Sequence, residues 1–324
     1  MNRIKYLVML FIEILISPFI YPFILWLRFG RITNFKYQSI TNYFLKKIGV
    51  LPIIDHYYEP LINPSHIFKP LNDDRKLLGL KFGLENQIAL LNQFSFQKEL
   101  LELPKDNYGN RFSFAYNNLS YPSGDAELYY SMLRLKKPKN IIEIGSGQST
   151  LLALEAIRIN KKEDPSYDCR MICIEPYEYN WLEELGVEVI RKRVERLNFD
   201  LFNILGENDF LFIDSSHVIR PQGDVLFEIQ ELLPLLSSGV FIHFHDIFTP
   251  KDYLEEWITG QRLWNEQYLL EAFLAYNPEF EIVLSSNLIF HKYKELLLEK
   301  CPVLRKELIN NPIREVGSFW IKRN

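Results

Sequence analysis

Between Asn140 and Phe244 five apolar runs of five or six residues recur, each separated from the next by chain long enough to cross a sheet. They are NIIEI (140–144), MICIE (171–175), VEVIRK (187–192), DFLFID (209–214) and GVFIHF (239–244). Runs this short and this apolar suit strands covered on both faces. Strands that alternate with helices build a doubly wound, mostly parallel α/β sheet. Helices are expected from Asp125, as a cap, through Lys136, from about Thr150 to Asn160, and near Asp224–Leu236. After a long insert bearing Trp257, Trp264 and Tyr268, the runs EIVLS and GSFWIK (317–322) offer two more strands, seven in all. Ligands of such sheets bind beyond the carboxyl ends of the strands, so the chemistry should lie immediately after them.

The rest of the chain narrows the class. At 324 residues with 48% hydrophobic and 24% charged, it can bury a substantial core, and its composition is neither disordered nor fibrous. A net charge of −4 gives no basic excess, so no nucleic-acid partner is expected. Three cysteines without a CxxC argue against a disulfide framework or structural zinc and for a reducing, cytoplasmic setting. The run from Tyr6 to Leu27 carries a single charge, Glu13, and is flanked by Arg3 and Lys5 before and by Arg28, Arg31 and Lys36 after. It is too long for a signal peptide and nearly long enough to span a bilayer, while Pro18 and Pro22 leave a kinked span, a re-entrant hairpin or an in-plane anchor open. Membrane association through residues 6–27 is the expectation; a helix packed on the soluble part is the alternative. The organisation expected is a hydrophobic segment over 1–30, a cap or lid over 31–120 and the sheet domain over 121–324.

Four strand ends carry candidate chemistry. In E-I-G-S-G-Q-S-T (143–150), Gly145 and Gly147 allow a sharp turn and close approach of the backbone to a ligand, ahead of a helix N-terminus. A dinucleotide fingerprint does not fit, because Thr150 takes the third glycine position and Glu175 follows Gly145 by 30 residues. Glu175 ends the second run and suits the two hydroxyls of a ribose, or else the start of a helix. FIDSSH places Asp214 and His217 one tight turn apart, and HFHD places His243, His245 and Asp246 at the next tip. His217 is a natural general base for a hydroxyl, and Asp214 with Asp246 could hold a hard cation such as Mg²⁺. The plainer readings are a helix cap for Asp214 and a core position for His243.

In that order, EIGSGQST, CIEP, LFIDSSH and HFHDIF resemble the class I S-adenosylmethionine-dependent methyltransferases, over roughly residues 121–324. DHYYEP and LWNEQYLLEAF (263–273) further resemble an uncharacterised bacterial branch of these enzymes. The resemblance implies a seven-stranded Rossmann-like sheet whose final strand is antiparallel. It implies that Glu143, Gly145, Ser146 and Gly147 surround the methionine part of S-adenosylmethionine, that Glu175 binds its ribose, and that Glu195 lies on the adenine side. It also implies that Asp214 and His217 match the D-x-x-H of metal-dependent O-methyltransferases, with Asp246 as a second acidic ligand. His245 departs from the pattern, standing where such relatives often carry a carboxylate, and is the next candidate base after His217. The activity implied is methylation of an oxygen on a small molecule, a sugar or a lipid-linked acceptor. A nicotinamide oxidoreductase and a non-catalytic, membrane-tethered S-adenosylmethionine-binding module are the alternatives.

Overall fold

The computed structural model describes residues 3–324, in two compact units: the chain up to Phe68 with Glu256–Leu263, and Lys69–Glu255 with Trp264–Asn324. The larger unit is built on seven strands, β1 (Asn140–Ile144), β2 (Arg170–Ile174), β3 (Glu188–Ile190), β4 (Phe210–Ile213), β5 (Phe241–Phe244), β6 (Phe280–Ser285) and β7 (Phe319–Arg323). Their spatial order is 3-2-1-4-5-7-6. The first five are parallel, and β7 runs antiparallel between β5 and β6. The order reverses between β1 and β4, which opens a crevice at their carboxyl ends.

Alternation along the strands explains why both faces are apolar. Ile141, Cys173, Phe210, Phe212 and Phe241 join one buried cluster, while Ile142, Ile174, Leu211, Ile213, Ile242 and Phe244 join a second on the opposite face. The first cluster includes side chains of α3 (Leu84–Asn92), α4 (Gln97–Glu102), α5 (Asp125–Lys136) and α6 (Gln148–Glu163). The second includes Val225 of α7 (Asp224–Leu226), and Leu270 and Leu274 of a helix in the long insert. The helix expected over 224–236 is not continuous. α7 passes into a π-helical turn, Phe227–Leu232, and then a 3₁₀ turn, Leu233–Leu235, where Pro234 has no N–H to donate. α5 has the expected range, but Asp125 is not its cap. The Glu127 side chain accepts from the Gly124 N–H at 3.1 Å, and also from Val303 and Leu304, at 2.8 and 3.0 Å, in the first turn of a helix near the C-terminus.

In the smaller unit, α1 (Arg3–Ile32) is one continuous helix through Pro18 and Pro22. Pro18 cannot donate to the Ile14 carbonyl, and the Ser17 hydroxyl does so instead at 2.8 Å. Within Lys5–Ile32 an 18-residue stretch has a mean hydropathy of 2.2 with none of it buried, and the segment is long and apolar enough to cross a membrane. A turn stacks Tyr37 on Phe29, with centroids 6.4 Å apart, and leads into α2 (Ser39–Ile48).

Glu127→Ala should lower the unfolding free energy by about 3 kcal/mol, because three buried N–H groups lose a carboxylate acceptor. Urea denaturation of the two proteins measures the difference. A loss under about 0.5 kcal/mol, typical of an indifferent surface change, would contradict this role.

Candidate active site

The turn after β1 is shaped by backbone proximity. Gly145 has φ +79°, and a Cβ there would lie 1.8 Å from the Asp214 carbonyl oxygen, so no other residue fits. A Cβ on Gly147 would meet the Tyr179 ring at 2.9 Å. Beneath the turn, Glu143 is fully buried and accepts from the Thr150 hydroxyl at 2.5 Å; the same hydroxyl accepts from the Gly147 N–H. Burial, partly opposed by hydroxyl donors, pushes the Glu143 carboxyl up to about 7. Thus Glu143 braces the turn from below, while Gly145, Ser146 and Gly147 line a cleft of about 200 Å³ together with Glu175, Tyr179 and Asp214. A larger cavity of about 500 Å³ lies elsewhere, against α4 and α6, with no strand residue in its lining. Glu175 Oε1 accepts from the N–H groups of Tyr177 and Glu178, both at 2.8 Å, which fixes the carboxylate at the tip of β2. Glu195 lies on the turn after β3 beside Arg193 and does not line the cleft.

At the tips of β4 and β5 the structure assembles a row of alternating charges in which the histidines are buried and Asp214 and Asp246 half-buried. His217 Nε2 is 3.2 Å from Asp214 Oδ1, and His245 Nδ1 is 3.4 Å from Asp214 Oδ2. His245 Nε2 is 3.7 Å from Asp125, whose carboxylate accepts from the Gly317 and Ser318 N–H groups. Asp246 lies 3.7 Å from His245 and 4.0 Å from His217. Burial alone would lower both histidines, but the facing carboxylates outweigh it and hold each well above its ordinary value. Burial likewise works to raise Asp214, yet the rings of His245 and His217 keep it well below the usual carboxylate range. His217 and Asp246 both adopt left-handed backbone, φ 58° and 57°, a conformation that marks constrained sites. His243 is a core residue: fully buried among Tyr129, Phe212 and Trp320, bonded to Ser318 and held neutral by its burial.

The groups that sequence reading did not find come from the insert. After α8 (Glu255–Thr259) the chain enters helix α9, which spans Glu266–Leu274 and belongs to the larger unit. Glu266 Oε2 bonds His217 Nδ1 at 2.8 Å, and the N–H groups of Asn265 and Glu266 donate to the His217 carbonyl. Trp264 lies over the same imidazole, centroids 4.2 Å apart, a favourable place for a cation. Gln267 accepts from the Phe248 N–H at 2.6 Å and so ties the loop after β5 to the same helix. The motif LWNEQYLLEAF was visible, but nothing local assigns its Glu266 to a histidine 49 positions earlier.

Asp214, His217 and Asp246 each offer a ligand atom within 4.8 Å of the others. Mg²⁺ prefers six oxygen ligands. Here both carboxylates already face histidine rings, and both His217 nitrogens face carboxylates, so this donor set does not suit Mg²⁺. The histidines supply the positive charge that the sequence had suggested for a cation.

Comparison with known proteins agrees with the sheet. Residues 142–247, about a third of the chain, match a family model described as a methyltransferase domain. An uncharacterized protein of Archaeoglobus fulgidus is 27% identical over 178 residues, covering 50% of this chain and 77% of its own. Among solved structures, the O-methyltransferase TomG from Streptomyces achromogenes, involved in tomaymycin synthesis and in complex with SAM, is 13% identical. It covers 72% of this chain and 88% of its own, with a TM-score of 0.36. An O-methyltransferase from Bacillus cereus in complex with SAH is 14% identical, covers 73% and 91%, and has a TM-score of 0.37. Residues 142–247 thus resemble a methyltransferase domain, and the sheet has the seven strands and the antiparallel final strand expected of the class I S-adenosylmethionine-dependent methyltransferases.

His217 should stay protonated well above about 6.5, the ordinary histidine value. Glu266→Gln removes one of the carboxylates that hold the proton, so its midpoint should fall. Proton NMR titration of the imidazole resonances reads both; an unchanged His217 midpoint in the variant would contradict the assigned contact.

Proposed function

We propose that the protein transfers a methyl group from S-adenosylmethionine to an oxygen of a small-molecule, sugar or lipid-linked acceptor. The observation that carries this reading is that Glu175 and Asp214 meet on one cleft across the Gly145–Gly147 turn, with His217 immediately behind Asp214. The class I resemblance assigns Glu143, Gly145, Ser146 and Gly147 to the methionine part, Glu175 to the ribose and Glu195 to the adenine side, with Glu143 buried beneath the turn and outside the cleft lining. The cleft fits that use in two respects. Among the described residues Glu175 Oε2 takes no hydrogen bond, which leaves it for a hydroxyl, and the glycine turn leads directly into the N-terminus of α6.

The cofactor supplies an electrophilic methyl group on a sulfonium, so the protein has to align an acceptor oxygen and take its proton. In this reading His217 takes that proton, Glu266 fixes its ring and stabilises the imidazolium that forms, and Trp264 covers it from water. Asp214 keeps its charge throughout and orients the reacting groups at the end of the cleft. His245, locked between Asp214 and Asp125, is the second candidate base and serves better to hold Asp214 ionised. No step requires a metal.

α1 attaches the enzyme to a membrane and leaves the catalytic unit in the cytoplasm. Its apolar run from Tyr6 to Leu27 has no buried residue, and Arg28, Arg31, Lys36, Lys46 and Lys47 follow it against Arg3 and Lys5 before it.

Glu175→Ala should weaken S-adenosylmethionine binding in calorimetry by about 1.5–3 kcal/mol, the worth of hydrogen bonds to a charged group. Unchanged affinity would remove the cofactor assignment. His217→Ala should slow turnover about 10²–10⁴-fold with cofactor affinity nearly intact, and EDTA should change neither. Because neighbouring carboxylates keep His217 protonated, the rate should rise with pH through a midpoint above about 6.5, and the rise should vanish in His217→Ala. Full-length protein should stay with the membrane pellet after alkaline carbonate washing; quantitative release would show that α1 is no span.

A further inference from the structure

Beyond α1, the smaller unit exposes a second apolar surface. Along α2, Ile40, Phe44 and Ile48 recur every four residues on one side and are 73%, 55% and 68% exposed. Tyr37 just before the helix and Leu51 just after it extend the exposed apolar set. The other side of α2 is used internally, since Gln38 and Leu45 are buried.

Two hydrogen bonds fix the level of this stripe along α1. Gln38 Nε2 donates to the Trp26 carbonyl at 2.9 Å, and Trp26 Nε1 donates to the Thr41 hydroxyl at 3.1 Å. The first turn of α2 therefore sits beside Trp26, where the uncharged run of α1 stops and Arg28 begins. That is the height at which a spanning helix leaves the hydrocarbon, and it carries the aromatic and basic residues typical of an interface: Trp26, Phe29, Tyr37 and Tyr43, with Lys36 and Lys47 beside the stripe. A helix with an apolar face and flanking lysines at that level suits neither water nor the bilayer centre.

We propose that α2 is a second lipid contact, lying in the surface of an anionic bilayer with Ile40, Phe44 and Ile48 inserted and Lys36 and Lys47 among the headgroups. The proposal rests on the reading of α1 as the membrane anchor and adds a role that α1 does not supply. The covered stripe holds α2 flat against the membrane and restricts how the chain leaves it.

The test uses the full-length protein with the half-buried Cys169 replaced by serine and single nitroxides at 40, 44, 46 or 48, in vesicles of equal parts phosphatidylcholine and phosphatidylglycerol. Oxygen and nickel-chelate accessibilities give depth. Labels at 40, 44 and 48 should lie about 5–10 Å below the headgroups, while the label at 46, on the opposite side of the helix, stays in water. Omitting phosphatidylglycerol, or introducing Lys36→Glu with Lys47→Glu, should draw the three labels outward. If the protein sediments with vesicles but all four labels are equally water-accessible, α2 is no lipid contact and the anchor reading stands. If the protein does not sediment with vesicles, both fall. Spin–spin broadening at 40, 44 and 48 that disappears on dilution with unlabelled protein assigns the stripe to a second copy and overturns the proposal, and equal depth without phosphatidylglycerol overturns the role of the lysines.

Discussion

A row of largely buried charges, Glu266–His217–Asp214–His245–Asp125, holds the carboxyl ends of β4 and β5 together. Its members come from α9, the tips of β4 and β5 and the start of α5, and Asp125 finishes the row on the backbone that leads into β7. Each histidine lies between carboxylates, so every charge taken out of water has an opposite neighbour within about 4 Å, where attraction offsets part of the desolvation cost. The arrangement is stable as a set and fragile in its parts, because removing one partner leaves another charge buried and uncompensated, at about 3–5 kcal/mol. Two members of the neighbourhood, His217 and Asp246, hold left-handed backbone that the surrounding contacts have to enforce.

The same row explains why the long insert belongs to the site. α9 binds the loop after β4 through the carbonyl and ring of His217, and the loop after β5 through Gln267. It also caps the second apolar face of the sheet with Leu270 and Leu274. Trp264, which opens the segment leading into α9, covers the imidazole and meets the Tyr253 ring edge-on, with centroids 6.3 Å apart.

How far the fold could be read depended on whether the signal was local. β1 has the boundaries expected from NIIEI, because a strand buried on both faces leaves an unbroken apolar run between polar ends. The tips Glu175, Asp214, His217 and Asp246 were legible because the fold class says where on a strand chemistry sits. Glu266 and Asp125 were not. Their partners are brought near by tertiary packing, and Asp125 in sequence looks like an ordinary helix cap, a task that Glu127 performs. The break at Phe227–Leu232 was hidden for a similar reason. There the buried Glu228 takes a hydrogen bond from Ser215 in the site loop, a demand no helical periodicity reveals.

Gly145 has a consequence for how such a protein diversifies. With no side chain intervening, the turn after β1 rests directly on the backbone of Asp214, so the spacing between the two loops is set by main-chain atoms in contact. A change in the insert can reshape the walls of the acceptor side without altering that spacing. On the proposed reading, the reach from methyl donor to proton acceptor is inherited from the sheet, and selection on acceptor identity acts on a segment that is free to vary around a fixed distance.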